Sequence, residues 1–266
     1  MLKDWTQRST AAIATHWIAV IAVLVVPALG QCSPSRSWLQ LLRKFESTTI
    51  FFEQFEIGEQ LVAVGDSAIA TKLVPWLSHE DRHLRANAAF VIARYGDRRG
   101  FDTLCEILRD RSDRPEGQGS MGPLSVLTSG NHPDEARNWR KAHHLEWQIP
   151  ADRYYAVWVL GSLKDHRAVP VLIPLLSDKE VAIGVPWALA QIGDRRAIEP
   201  LIHSLSDEDP TIRVVVIRTL EQLHAREAIP ALTLLLNDQD HSHVDDLISV
   251  AAAAKRAIAR IESSAR

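Results

Sequence analysis

The apolar residues of this chain fall into a frame that returns about every 30 residues. The stretches LGSLKDHRAVPVL (160–172), LAQIGDRRAIEPL (189–201) and LEQLHAREAIPAL (220–232) superimpose without a gap, and weaker copies surround Gly65-Asp66 and Gly96-Asp97. With Gly65, Gly96, Lys164, Gly193 and His224 as equivalent turn positions, the steps are 31, 68, 29 and 31 residues, so one step holds a repeat plus an insertion. Four residues before the turn stand Leu61, Ile92, Leu160, Leu189 and Leu220; eight before it stand Ile57, Ala88, Ala156, Val185 and Val216. That spacing is one face of a helix. Eight and twelve residues after the turn come Leu73, Leu104, Leu172, Leu201 and Leu232, then Leu77, Leu108, Leu176, Leu205 and Leu236, a second helical face. Each unit therefore reads as a helical hairpin. Pro170, Pro200 and Pro230 fall in the first turn of the second helix, where a missing N–H is tolerated. Asp178, Asp207 and Asp238 mark the loop to the next unit.

The insertion, residues 111 to about 150, changes character halfway. Gly117, Gly119, Gly122 and Gly130 with Pro115 and Pro123 predict an irregular loop, after which Asp134 can cap a short helix holding Trp139, Arg140, Lys141 and His144. Trp139 and Trp147, then Tyr154, Tyr155 and Trp158, gather aromatics beside Arg137, Arg140 and Arg153. Trp, Tyr and Arg dominate interface hot spots, so Arg137, Trp139, Arg140, Trp147, Tyr154 and Tyr155 are the candidate partner-binding residues. The alternative is that the tryptophans only pack onto the adjoining hairpin and close the gap.

The first 30 residues stand apart from the repeat. Ser9 to Ser35 lacks any Asp, Glu, Lys or Arg, and Ile18 to Leu29 is nearly all apolar behind Lys3 and Arg8, the layout of a secretory signal. Ala28-Leu29-Gly30 offers a cleavage site, giving a mature start near Gln31 and residues 31–49 as a linker or cap. The competing reading is an uncleaved anchor through residues 11–29, a run approaching the ~20 residues that span a bilayer. Either way the expected location is the cell envelope: exported to the periplasm or secreted, or held at the inner membrane.

Composition trims the functional classes. A formal charge of -3 argues against a nucleic-acid partner, which would call for a basic patch. Two cysteines, Cys32 and Cys105, make no disulfide framework or zinc motif. Among eleven histidines the adjacent His143 and His144 point about 100° apart on a helix and chelate poorly, while His241 and His243 near Asp245 and Asp246 read as a solvated loop. No phosphate loop, nucleophile elbow or Ser/His/Asp set appears, so no catalytic residue, cofactor or metal is expected.

The pattern Gly-Asp-Arg-Arg-Ala-Ile-Glu-Pro-Leu at 193–201, with its relatives, resembles the HEAT-like repeats associated with phycobilisome lyases, over roughly residues 50–262. The resemblance implies an all-α fold, a right-handed α-solenoid of about five hairpins with one long loop insertion and a terminal cap from roughly Val244 to Ile261. In repeats of that family, Asp and Arg equivalent to Asp97, Asp165 and Asp194 and to Arg99, Arg167 and Arg196 resemble a structural ladder between hairpins; Arg85, Arg153 and Arg213 share that periodicity. Function is less constrained, since such arrays occur in scaffolds, chromophore lyases, DNA glycosylases and a di-iron hydroxylase. The reading is a non-catalytic scaffold that binds a protein or peptide. The alternative is an enzyme or accessory subunit of the chromophore-lyase or metal-dependent type.

Overall fold

A computed structural model describes residues 37–48, 50–112, 144–243 and 248–264, without the side chains of residues 37 and 144–147. Helix α1 (Ser37–Ser47) precedes five hairpins. Their first helices are α2 (Phe51–Val64), α4 (Arg82–Arg94), α6 (His144–Leu163), α8 (Val185–Ile192) and α10 (Pro210–Gln222). The second helices contain α3 (Ala68–Leu73), α5 (Arg98–Arg109), α7 (Val169–Leu172), α9 (Ile198–His203) and α11 (Ile229–Leu234), and α12 (Val250–Ser263) closes the array. The fold is an all-α solenoid of helical hairpins.

The turn fixes the register. Gly65, Gly96 and Gly193 have φ of 79°, 82° and 73°, and Lys164 and His224 have φ of 56° and 49°. Among the described residues these five alone have positive φ, and they are the five equivalent positions of the repeat. A left-handed residue ends the first helix and lets the next N–H reach back, as Asp97 N does to Ile92 O at 3.2 Å and Ala225 N to Leu220 O at 3.0 Å. The aspartate after the turn then opens the second helix: Asp97, Asp165 and Asp194 accept from the backbone N–H of Arg99, Arg167 and Arg196.

The leucine columns form the core. Leu61, Ile92, Leu160, Leu189 and Leu220 before the turn, and Leu73, Leu104, Leu172, Leu201 and Leu232 after it, are fully buried. The outermost column fades at the ends, where Leu77 is only half-buried and Leu236 is exposed. Proline content shapes the second helices. Those with Pro75 or Pro174 tighten into 3₁₀ turns at Val74–Ser78 and Ile173–Ser177, whereas α5, which has no proline, runs unbroken for 12 residues.

Helix α6 packs directly on α4 and α5, so the third hairpin stacks on the second as if the period were unbroken. The helix starts at His144 and runs through Pro150, inside the range expected for the insertion. At the ends, α1 lays Trp38, Leu42 and Phe45 onto the core, and α12 buries Val250, Ala253, Ala254, Ala257 and Ile261 against the last hairpin. The outer side of α12 is polar, and Arg256 and Arg260 reach Glu221 at 3.6 and 2.6 Å. A polar outer face is what a solenoid terminus needs.

Candidate interaction face

Two sets of side chains run the length of the array, one that staples it and one that stays partly open. The staples are Arg85, Arg153 and Arg213, each on a first helix eleven residues before the turn. Arg153 donates from Nε to the carbonyl of Leu108 in the preceding hairpin at 2.8 Å and from Nη2 to Asp178 of its own hairpin at 2.5 Å, and it also binds Glu180. Arg213 repeats the geometry with Asp207 O at 2.7 Å and the Asp238 and Asp240 carboxylates at 3.1 and 2.7 Å. Arg85 makes a looser version, 3.2 Å to His79 O and 3.7 Å to Asp110. One guanidinium thus satisfies a helix C-terminus of one unit and a loop carboxylate of the next.

A denser polar cluster fills the junction between the second and third hairpins. Twelve residues before the turn, where the second, fourth and fifth units carry Leu84, Val181 and Ile212 and the first an exposed Glu53, the third carries Asp152, which is 1% exposed. Arg82, 2% exposed, donates to Asp152 at 3.0 Å, to Asp110 at 2.7 Å and to the Ser112 carbonyl at 2.7 Å. His83 Nδ1 stands 3.5 Å from Asp152. Nearby, Tyr155 Oη donates to Asn87 Oδ1 at 2.6 Å, and Asn87 donates to Phe51 O and Gln54 Oε1 at 2.7 and 3.0 Å. Burial would raise the Asp110 carboxyl, but hydrogen bonds from Ser112 and Arg82 hold it down at about 2. Removing either member of such a buried pair strands the other, so the cluster is structural.

The partly open set is aromatic. Six residues before the turn stand Glu59, Phe90, Trp158, Trp187 and Arg218, one column of the first helices. Trp158 and Trp187 are half-buried and stack with centroids 6.0 Å apart and planes 9° apart. Gly161 permits this approach, since a Cβ there would lie 2.7 Å from Ala188 Cα and 2.9 Å from the Trp187 ring. From the first hairpin, Phe55 meets Trp158 at 4.6 Å and Phe52, 38% exposed, meets it at 6.2 Å. Rings of the first hairpin therefore touch the third across the second, and ten of the thirteen residues of α4 are buried beneath them. Neighbouring helices pack 8–10 Å apart, so the stack bends here towards its first-helix side.

This arrangement of hairpins has a counterpart in sequence families. Residues 148–209 and 177–253 match a family model described as HEAT repeats, and residues 84–110 match one described as PBS lyase HEAT-like repeat. The chain is a HEAT-like repeat protein. Comparison with curated proteins gives no match.

The candidate partner-binding residues are divided by this HEAT-like fold. Arg137, Trp139 and Arg140 lie outside the described residues, as does the side chain of Trp147. Tyr154 is half-buried against Gly184, whose Cβ would sit 2.7 Å from its ring, and burial pushes its phenol up. Tyr155 is corrected from surface to core: it is 5% exposed, wedged among Phe51, His83 and Trp158, because its helical face points at α4. The open aromatics are instead Phe52, Trp158 and Trp187. Trp158 and Trp187 share a column of the repeat with Phe90, and that shared column was the sequence signal for them.

The turn aspartates and arginines pair within each turn, and Arg167, Asp194 and Arg196 also tie neighbouring hairpins together. Arg99, Arg167 and Arg196 each pair first with the aspartate of their own turn at 2.6 Å. Links between hairpins come from His166 to Asp194 at 2.8 Å, Arg196 to His166 O at 3.0 Å, Arg195 to Glu227 at 2.5 Å and Arg167 over the Phe101 ring at 4.7 Å. Hydrogen bonds from Arg196 and His166 hold the Asp194 carboxyl well below the usual range. Burial raises the Cys105 thiol, which disfavours the reactive thiolate. Among the described residues no three His, Cys, Asp or Glu side chains gather as a metal site.

Proposed function

We propose that the protein is a non-catalytic scaffold of the cell envelope that holds a protein or peptide on the first-helix side of its array. HEAT repeats serve protein interaction, and this array leaves Phe52, Trp158 and Trp187 in ring contact but partly open across three hairpins. That row is the observation that carries the reading, because core packing alone would bury its rings fully, as it does Phe55 and Phe90. The envelope assignment rests on the uncharged run from Ser9 to Ser35. Two measurements test it. N-terminal sequencing of the mature chain should begin near Gln31, and a soluble cytosolic protein retaining Met1 would overturn the location. Crosslinking of envelope fractions should capture a partner with wild type that Trp158→Ala and Trp187→Ala lose while remaining folded by circular dichroism. A second reading, an enzyme or enzyme accessory subunit of the chromophore-lyase or metal-dependent type, draws on the match at 84–110. Stoichiometric iron or zinc in the purified protein would favour it.

A further inference from the structure

The aromatic face carries free negative charge at one end. Phe52, Phe55, Glu56 and Glu59 follow i, i+3, i+4, i+7 spacing and so form one stripe of α2, and the first two of them contact Trp158. Glu56 and Glu59 are exposed, and among the described residues neither makes a hydrogen bond or an ion pair. Many carboxylates elsewhere on the array are tied to arginines, among them Asp97, Asp165 and Asp194 at the turns, Asp178 and Asp238 in the loops, and Glu221 and Glu227 beyond them. What sets Glu56 and Glu59 apart is that they share a helix stripe with the rings that meet Trp158. Burial and the neighbouring Glu56 raise the Glu59 carboxyl, with Arg94 only partly offsetting them, so a cation at this point would relieve an existing repulsion.

Shape agrees with charge. The centroid steps from Phe52 to Trp158 and from Trp158 to Trp187 are 6.2 and 6.0 Å. An extended chain advances about 3.3 Å per residue, so alternate side chains of a bound segment would meet successive rings. Aromatic faces attract guanidinium and ammonium groups and also stack proline rings. We infer that the stripe formed by Phe52, Glu56, Glu59, Trp158 and Trp187 receives an extended basic segment of a partner protein, with an arginine or lysine at Glu56 and Glu59 and the following residues lying on the two tryptophans. This deepens the scaffold reading and rests on it.

Fluorescence anisotropy of the full mature chain tests the assignment, with a labelled peptide of alternating arginine and proline against one of alternating glutamate and proline. The basic peptide should bind at low salt and weaken as salt rises, and the acidic one should not bind. The double variant Glu56→Gln with Glu59→Gln, whose changes lie on the surface and leave the fold intact, should weaken the basic peptide by at least ~5-fold, as should Trp158→Ala. Equal binding of the two peptides, absence of binding by either, or an affinity unmoved by the double glutamine change would overturn the assignment. If the assignment fails while crosslinked partners are still lost from Trp158→Ala, the scaffold reading stands with a partner of different chemistry. If no partner is captured at all, that reading fails as well.

Discussion

The junction between the second and third hairpins and the junctions that follow it solve the same problem with different chemistry. After the third hairpin, first helix meets first helix through Val157, Val159, Val185, Ala188, Val214 and Val216, all nearly or fully buried, and Gly161 lets the backbones close up. Between the second and third, the position that is Val181 or Ile212 elsewhere is Asp152, and Arg82, His83, Asp110 and Ser112 converge around it. Apolar junctions gain from area removed from water and tolerate small adjustments. The polar junction depends on complete pairing, so it specifies geometry more sharply and fails more abruptly. It lies where residues 113–143 intervene in sequence between the two hairpins. A junction without covalent continuity through a short loop gains from a directional lock.

The largest expected effect breaks the polar side of that comparison. Arg82→Met removes the guanidinium shared by the buried Asp152 and by Asp110 and should cost about 3–5 kcal/mol in denaturant unfolding, while adding Asp152→Leu to it should recover much of the loss. If the single change were neutral, the junction would be held by its apolar contacts alone. On the apolar side, Leu189→Ala or Leu201→Ala should each cost ~2–5 kcal/mol, since both leucines are fully buried. A neutral result at either would show the column register to be wrong.

A smaller effect sharpens the comparison through pH. Asp110 is held near 2 against an ordinary 3.8, so the stability it contributes is present above about pH 4 and is lost as pH falls towards 2. Asp110→Asn should flatten the fall in melting temperature across that window. The smallest effect is a gain. Lys164 and His224 hold positive φ where the other turns have glycine, so Lys164→Gly and His224→Gly should each stabilise by about 0.5–1 kcal/mol. Loss of stability at these sites would mean that the side chains, rather than the backbone, set the turn.

Much of the architecture was legible before any coordinates. The five turn positions, the two leucine faces and the hairpin count follow from spacing alone, because a 3.6-residue period and a left-handed turn leave the same marks in every unit. The polar junction was legible in principle as an aspartate in a column that is apolar in the second, fourth and fifth units, and the aromatic row as a column holding Phe90, Trp158 and Trp187, but neither column was part of the leucine pattern. Tyr155 is buried while Tyr154 is half-buried because adjacent residues on a helix point about 100° apart, a difference that depends on which face packs on α4.

The sequence by itself determined the repeat, its register and the residues that end and begin each helix, all local properties of the backbone and of side-chain periodicity. The tertiary structure decided that the third hairpin stacks on the second despite the intervening residues, that Arg82 meets Asp152 seventy positions away, and that the first-helix side bends until Phe52 reaches Trp158. Those outcomes depend on how tightly successive helices approach and at what angle. Small residues such as Gly161 and the fit of facing side chains set that angle, and it exists only once the units are stacked.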